Sequence, residues 1–319
     1  TATTTFTPSP TLTSTPTITP NPEPVQIRWM TVGNDPFQIA AEEKAVNEFN
    51  ATHPGIILSL EVVPEDSVIN TLTAEFEAGN APDIIGPRGW GFISTFYGQW
   101  LDLTAYIKST GYDTSIFDPA LVASFHTEAG QIALPFMVHP AAVFYQRGLF
   151  DKAGLNYPPV VYGKPYTWRD GTTEEWNYET LTKVAKLLTI DKNGRNATQA
   201  GFAHDQQKIV QFGFIHQWAG PGKTGALWGA GKLYEGEPGN YKAVIPEQWK
   251  AAWRWYYDGL WGSQLFIPSY WADLGSGNPF NSGRLAMAIN NSWYTCCIGE
   301  AGENWDLAVL PSYNSAVHG

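Results

Sequence analysis

The sequence predicts an α/β protein in two lobes, and three observations carry that reading. From Val25 to Ile85, short apolar strands alternate with amphipathic helices. The alternation stops within residues 130–155, GQIALPFMVHPAAVFYQRGLFDKAGL, and a second one begins there, as at a hinge. A chain of 319 residues, 43% hydrophobic and 15% charged, is also long and apolar enough to bury two cores.

The first 24 residues, TATTTFTPSPTLTSTPTITPNPEP, offer little apolar surface beyond Phe6, Leu12 and Ile18 and cannot pack. Thr, Ser and Pro at this density make either a stiff, extended tether or a disordered tail of no consequence. Val25–Thr31 then reads as a strand, followed by a helix over Phe37–Asn50 with Ile39, Val46 and Phe49 at helical spacing and Pro54-Gly55 as its stop. Ile56–Val63 is a second strand. Ser67–Ala78 is a helix with Val68, Leu72 and Phe76 on one face, and Asp83–Ile85 is a third strand. A β-α-β-α-β order implies a parallel sheet with right-handed crossovers, and such sheets bind ligands beyond the carboxyl ends of their strands. The segments in that position are Gly33-Asn34-Asp35 and Gly86-Pro87-Arg88-Gly89-Trp90-Gly91, which makes Asn34, Asp35, Arg88 and Trp90 candidates. Trp90 stands between two glycines, whose flexibility suits a side chain reaching for a ligand from a loop. Arg88 has two readings: forked hydrogen bonds to ligand hydroxyls, or a surface ion pair.

Past this lobe, Gln131–Leu134 is expected to be extended and Ala141–Tyr145 to be a strand, with Phe136-Met-Val-His-Pro140 crossing between them. His139 in that crossover is either a hydrogen-bonding ligand residue or a hinge histidine satisfied by backbone. Arg147–Ala153 forms a helical turn that Gly154 can end. After an aromatic stretch rich in Pro and Gly, Tyr157–Trp176, Asn177 caps a helix with Leu181, Val184, Ala185 and Leu188 on one face. Asp191-Lys-Asn-Gly194 is a turn that begins like a calcium loop, but Phe202 stands where the twelfth-position Glu is needed. Gly201–His204 reads as a strand and Ile209–Trp218 as a helix, with Trp218 as a further candidate. Gly220-Pro-Gly-Lys-Thr-Gly225 satisfies GxGxxG, yet Gln217 replaces the first glycine of a P-loop and no strand is expected to lead into it. A Gly-rich turn is the better reading. Pro246 opens a helix whose Trp249, Trp253, Tyr256 and Leu260 form a core stripe, and Leu285–Asn290 is a buried strand followed by Trp293.

The net charge of −11, with no cluster of Lys and Arg, argues against nucleic acid and leaves a neutral or cationic partner. No apolar run reaches the roughly 18 residues that span a bilayer. There is no GxSxG, no HExxH and no zinc-spaced Cys/His set, and the six His are scattered. The acidic pairs Asp35 with Glu65 and Glu174 with Glu175 could be imagined in glycoside hydrolysis, but nothing sets them apart from other carboxylates. Binding without chemistry is therefore preferred, with no catalytic residue, metal or cofactor. Fourteen Trp supply mostly core, and a few could offer faces on which sugar rings stack.

Several segments carry a family resemblance. They are Phe49-Asn-Ala-Thr-His-Pro54 leading into LSLEVVP, FEAGNAPDII at 76–85, Trp100-Leu-Asp-Leu-Thr104, LPF followed by FYQRGLFDKAGL and a PP pair, Tyr166-Thr-Trp168, and FNSGRLAMAINNSW at 280–293. In this order they resemble the extracellular solute-binding proteins of sugar-importing ABC transporters, family 1 type. The resemblance implies a type II periplasmic-binding-protein-like fold. In it, each lobe has a mainly parallel sheet flanked by helices, with lobe 1 at 25–138 and lobe 2 at 139–319. It also implies a sugar or oligosaccharide held in an interlobe cleft and passed to permease subunits, Trp293 stacking on the ligand, and an extracytoplasmic, lipid-anchored monomer behind the tether. The return to lobe 1 and the terminal helices of the family are expected to be missing. Other readings are a polyol, glycerol-phosphate or peptide ligand, or a glycoside hydrolase.

Cys296-Cys297 are the only cysteines. In an oxidising compartment an even count suggests pairing, and the only intramolecular partner of each is the other. An adjacent pair closes a tight, strained ring, so a vicinal disulfide is one expectation and two buried thiols the other.

Overall fold

The computed structural model describes residues 23–33, 35–216, 224–226, 228–237, 239–269, 278, 280–299 and 304–313. The chain divides between Met137 and Val138 into two compact units.

The first unit starts with strand β1 (Val25–Val32), helix α1 (Pro36–Thr52), strand β2 (Ile56–Val63), helix α2 (Val68–Glu77) and strand β3 (Ile84–Ile85). These are the expected elements, each within about two residues of its expected ends. β1 runs parallel to both neighbours in the order β2-β1-β3, paired from Val25 with Ile56 to Val32 with Val63. Met30 and Val32 meet Val68 and Leu72 of α2, and Phe92 and Phe96 complete this core. Three short helices follow, α3 (Trp90–Thr95), α4 (Thr104–Thr110) and α5 (Pro119–Ser124). A small hairpin of β4 (His126–Thr127) with β5 (Gly130–Gln131) comes after them.

The second unit contains β6 (Ala141–Gln146), α6 (Arg147–Ala153), a hairpin of β7 (Tyr166–Thr167) with β8 (Thr173–Glu174), α7 (Tyr178–Leu188) and β9 (Ile190–Asp191). It continues with β10 (Ile209–His216), the pair β11 (Tyr234–Glu235) and β12 (Lys242–Ala243), α8 (Glu247–Leu260), β13 (Leu285–Asn291) and β14 (Trp305–Ala308). α6 ends on Gly154 at φ 67°, a left-handed position that glycine adopts without strain. α7 starts where Asn177 accepts hydrogen bonds from the amides of Glu179 and Thr180, both at 3.0 Å. Its Leu181, Val184, Ala185 and Leu188 are fully buried, the Leu and Val side chains each contributing on the order of 1.5–3 kcal/mol.

The sheet of this unit has the order β14-β6-β13-β10-β9. Only β10 with β13 is parallel; β6 is antiparallel to β13 and β14, and β9 is antiparallel to β10. This corrects the expectation of a mainly parallel sheet in each lobe. The reason is topological: β6 is inserted between β13 and β14, so the chain leaving β13 must cross it to reach the far side. Both faces of β6 are covered, Val143 and Tyr145 by the α7 core and Phe144 by a second core with Tyr294 and Phe280. That explains its unbroken apolar run.

Two further expectations fail here. Ile209–His216 is strand β10, not the start of a helix reaching Trp218, which lies outside the described residues. Its IVQFGFIH run is β-branched and aromatic, and at Gly213 a Cβ would stand 2.0 Å from the Ala185 carbonyl oxygen, so the strand seats directly on α7. Gly201–His204 is turn and loop, because the Ala203 amide bonds the Asp191 carboxylate (3.1 Å) and no neighbouring strand.

Candidate functional site

In the first unit, Asn34 lies outside the described residues, while Asp35 caps α1 by accepting from the Phe37 amide at 2.9 Å. Beyond β3, the Trp29 indole donates to the Gly86 carbonyl at 2.6 Å and the Gly86-Pro87 peptide is cis. Arg88 forms a two-pronged ion pair with Glu65, Nη1 to Oε2 at 2.8 Å and Nη2 to Oε1 at 2.7 Å. Its guanidinium also sits 4.8 Å from the Phe92 ring centroid. Of the two readings of Arg88, the ion pair is the one the geometry shows. The hydrogen bonds from Arg88 hold the Glu65 carboxyl below its ordinary pKa.

Trp90 is not a loop residue. It opens helix α3 after Gly89, and its ring stacks on Phe125 with centroids 5.5 Å apart and planes within 9°. One face is thus occupied, while the side chain as a whole stays 39% exposed.

In the second unit the fold joins two candidates that are remote in sequence. His139 Nδ1 lies 3.3 Å from the Ser292 hydroxyl across 153 positions, and the Ser292 amide donates to the Pro140 carbonyl at 2.9 Å. Ser292 opens a 3-10 turn, Ser292–Cys297, whose second residue is Trp293. Trp293 is half-buried against the Phe144 core and meets Tyr294 edge-on at 6.1 Å. His139 therefore braces the segment that presents Trp293, at the carboxyl end of β13. Cys296 and Cys297 close the same turn, both exposed, with sulfurs 2.6 Å apart.

One polar residue escaped the sequence reading. His216, the last residue of β10, is 2% exposed, with Nδ1 3.0 Å from the buried Thr224 hydroxyl and no partner for Nε2 among the described residues. Burial pushes its pKa down to about 3, so the ring is neutral. Nothing in a lone His at the end of an apolar run announced this. Of the Gly-rich segment, residues 220–223 lie outside the described residues, while Thr224, whose hydroxyl a P-loop would turn toward a metal ion, is fully buried beside His216.

The carboxylates weighed for hydrolysis are all engaged structurally. Asp35 caps α1, Glu65 holds Arg88, Glu174 pairs with Lys183 at 2.8 Å and Glu175 accepts from the Ser312 hydroxyl at 2.8 Å. Among the described residues no three His, Cys, Asp or Glu cluster as metal ligands would, and no helix is long and apolar enough to cross a membrane. Two open hollows in this unit, of about 760 and 390 Å³, are lined around Trp261 and around Trp176; neither His139 nor Trp293 lines them.

Two units of α/β architecture, with aromatic side chains placed just past the carboxyl ends of their strands, are the frame of a solute-binding protein. Residues 34–314 match the family of bacterial extracellular solute-binding proteins, and the chain belongs to that family. A binding protein of Brucella abortus (strain 2308) is 32% identical over 126 residues, covering 37% of this chain and 28% of that one. A Streptomyces antibioticus lipoprotein from the oleD 5′ region is 26% identical over 175 residues, covering 52% and 34%. The matched stretches thus span about a third or less of these curated relatives. Solved structures share the fold. The Listeria monocytogenes ABC substrate-binding protein Lmo0181, in complex with cycloalternan, superposes with a TM-score of 0.64 at 20% identity, covering 92% of this chain and 68% of that chain. A cyclo/maltodextrin-binding protein complexed with maltotetraose gives 0.61 at 16% identity, covering 94% and 68%. CpMnBP1 with mannotriose bound gives 0.60 at 20% identity, covering 90% and 68%.

Proposed function

We propose that this chain captures a sugar or short oligosaccharide outside the cytoplasmic membrane and hands it, unchanged, to the permease of an ABC importer. The observation that carries the reading is the shared fold of three structures that each hold an oligosaccharide. The chemistry of the candidate residues is consistent with it. Trp90 and Trp293 are partly exposed aromatics braced by Phe125 and by Tyr294, so a sugar ring stacking on either would not have to order a loose side chain. His139, Asp35, Asn34 and Trp218 are proposed as further contacts. The lipoprotein relative supports a lipid-anchored placement, and the chain is proposed to work as a monomer.

The test is a thermal-shift panel of mono- and oligosaccharides on the purified chain, followed by calorimetry of any hit and chromatography of the recovered ligand. One sugar should raise the melting temperature and be recovered intact. A panel in which polyols, glycerol phosphate or peptides stabilise and sugars do not would replace the carbohydrate reading, and cleaved sugar would replace the binding one.

A further inference from the structure

We propose that Cys296 and Cys297 are a modification site: a vicinal dithiol that closes to a disulfide by exchange with a disulfide-type oxidant outside the cytoplasm. The inference rests on the family's extracellular placement and on local geometry, and is independent of which solute is bound.

The geometry has three parts. Both cysteines are exposed at the end of the 3-10 turn, with sulfurs 2.6 Å apart, so an oxidant can reach them and each thiol already lies against its partner. The turn around them is held. At its start the Ser292 amide bonds Pro140; in its middle Tyr294 is 1% exposed and donates its hydroxyl to Asn278 Oδ1 at 2.5 Å. At its end the Cys297 carbonyl accepts the side-chain amides of both Asn278 (3.0 Å) and Asn281 (3.1 Å). Closing a disulfide between neighbours twists the peptide that joins them. With Tyr294 and the Cys297 carbonyl both gripped, the rotation falls on Thr295 and Cys296, which are exposed, so the bond can form without loss of core contacts.

The chemistry balances as two exchanges. The thiolate of one cysteine attacks a sulfur of the oxidant's disulfide and expels its first thiolate, leaving a mixed disulfide. The neighbouring thiolate then attacks the protein sulfur of that mixed disulfide, the Cys296–Cys297 bond forms, and the second thiolate leaves. Two protons and two electrons pass to the oxidant, which departs as a dithiol or as two thiols. An extracytoplasmic compartment maintains oxidants of this class.

The full chain, purified from an oxidising compartment, is denatured and alkylated with and without reductant, then weighed. No label without reductant and two labels after it are expected. The reduced, folded protein incubated with oxidised glutathione should lose both alkylatable thiols, stay monomeric and keep no glutathione. Cys296→Ser and Cys297→Ser each lack the resolving thiol and should retain one glutathione as a stable adduct. Hydrogen exchange across the turn should differ between oxidised and reduced protein at Thr295 and Cys296 and be unchanged at Tyr294. Two labelled thiols on the secreted protein, a glutathione adduct persisting on the parent, or a disulfide-linked dimer would each overturn the site; altered exchange at Tyr294 would overturn the local accommodation.

Discussion

Arg88 closes on Glu65 with both terminal nitrogens, at 2.7 and 2.8 Å, while the central carbon of its guanidinium lies over the Phe92 ring. The pair ties the loop beyond β3 to the loop beyond β2, the two places where an open parallel sheet presents its binding residues. Arg88 thus braces these two loops against each other. Because the Glu65 side chain is 58% exposed, solvent screens the pair. Arg88→Ala should lower stability by about 1 kcal/mol or less and leave solute affinity within about twofold. A tenfold loss of affinity in calorimetry would return Arg88 to the ligand-contact group.

Gly213 is where β10 and α7 touch backbone to backbone. A Cβ there would meet the Ala185 carbonyl at 2.0 Å, and neither partner is a flexible side-chain end that can swing away. Gly213→Ala should cost at least about 2 kcal/mol by chemical denaturation, since the strand or the helix must shift. Full stability would show that the seat is looser than these distances state.

His216 makes the second unit acid-sensitive. Its folded pKa, near 3, lies below the 6.5 it has in an unfolded chain, so between these values the unfolded state binds the extra proton. The stability its neutral form provides is complete above about pH 6.5 and is lost as pH falls toward 3, at a limiting slope of about 1.4 kcal/mol per pH unit. Denaturation curves taken stepwise from neutral pH downward should show this slope, and His216→Asn should flatten it. An unchanged slope in the variant would assign the acid loss to other groups.

Trp90 and Trp293 are the proposed stacking residues. Replacing each with Ala should weaken the cognate sugar by roughly 0.5–1.5 kcal/mol per lost ring contact, about two- to twelvefold, while circular dichroism shows the fold retained. Trp293→Ala also removes packing on the Phe144 core, so Trp293→Phe is the control that keeps the fill. Parent-like affinity in both Ala variants would remove these side chains from the site.

The His139 contact allows the last test. If His139 only braces Ser292, His139→Gln, which retains a donor and an acceptor, should preserve affinity and His139→Ala should lower it modestly through Trp293. If the imidazole itself holds the ligand, both variants should lose affinity equally in calorimetry.

Much of the fold was legible without coordinates because its signals are local. Val68, Leu72 and Phe76 share a face at helical spacing, Asn177 offers a cap, Gly154 ends α6, and the β-α-β-α-β order of residues 25–85 leaves parallel pairing as its natural outcome. Periodicity and capping are properties of one segment, so one segment suffices to read them. What only the tertiary structure decided are relations between segments. Ile209–His216 is an apolar run compatible with helix or strand, and it is a strand because β13 and β9 flank it and α7 leaves no side-chain space at Gly213. The second sheet is mixed because β6 lies between β13 and β14, a placement that no run of residues encodes alone. Arg88 finds Glu65, Trp90 finds Phe125 and His139 finds Ser292 across 23, 35 and 153 positions. Such contacts depend on which faces the folded layers bury together, and burial is a property of the whole chain.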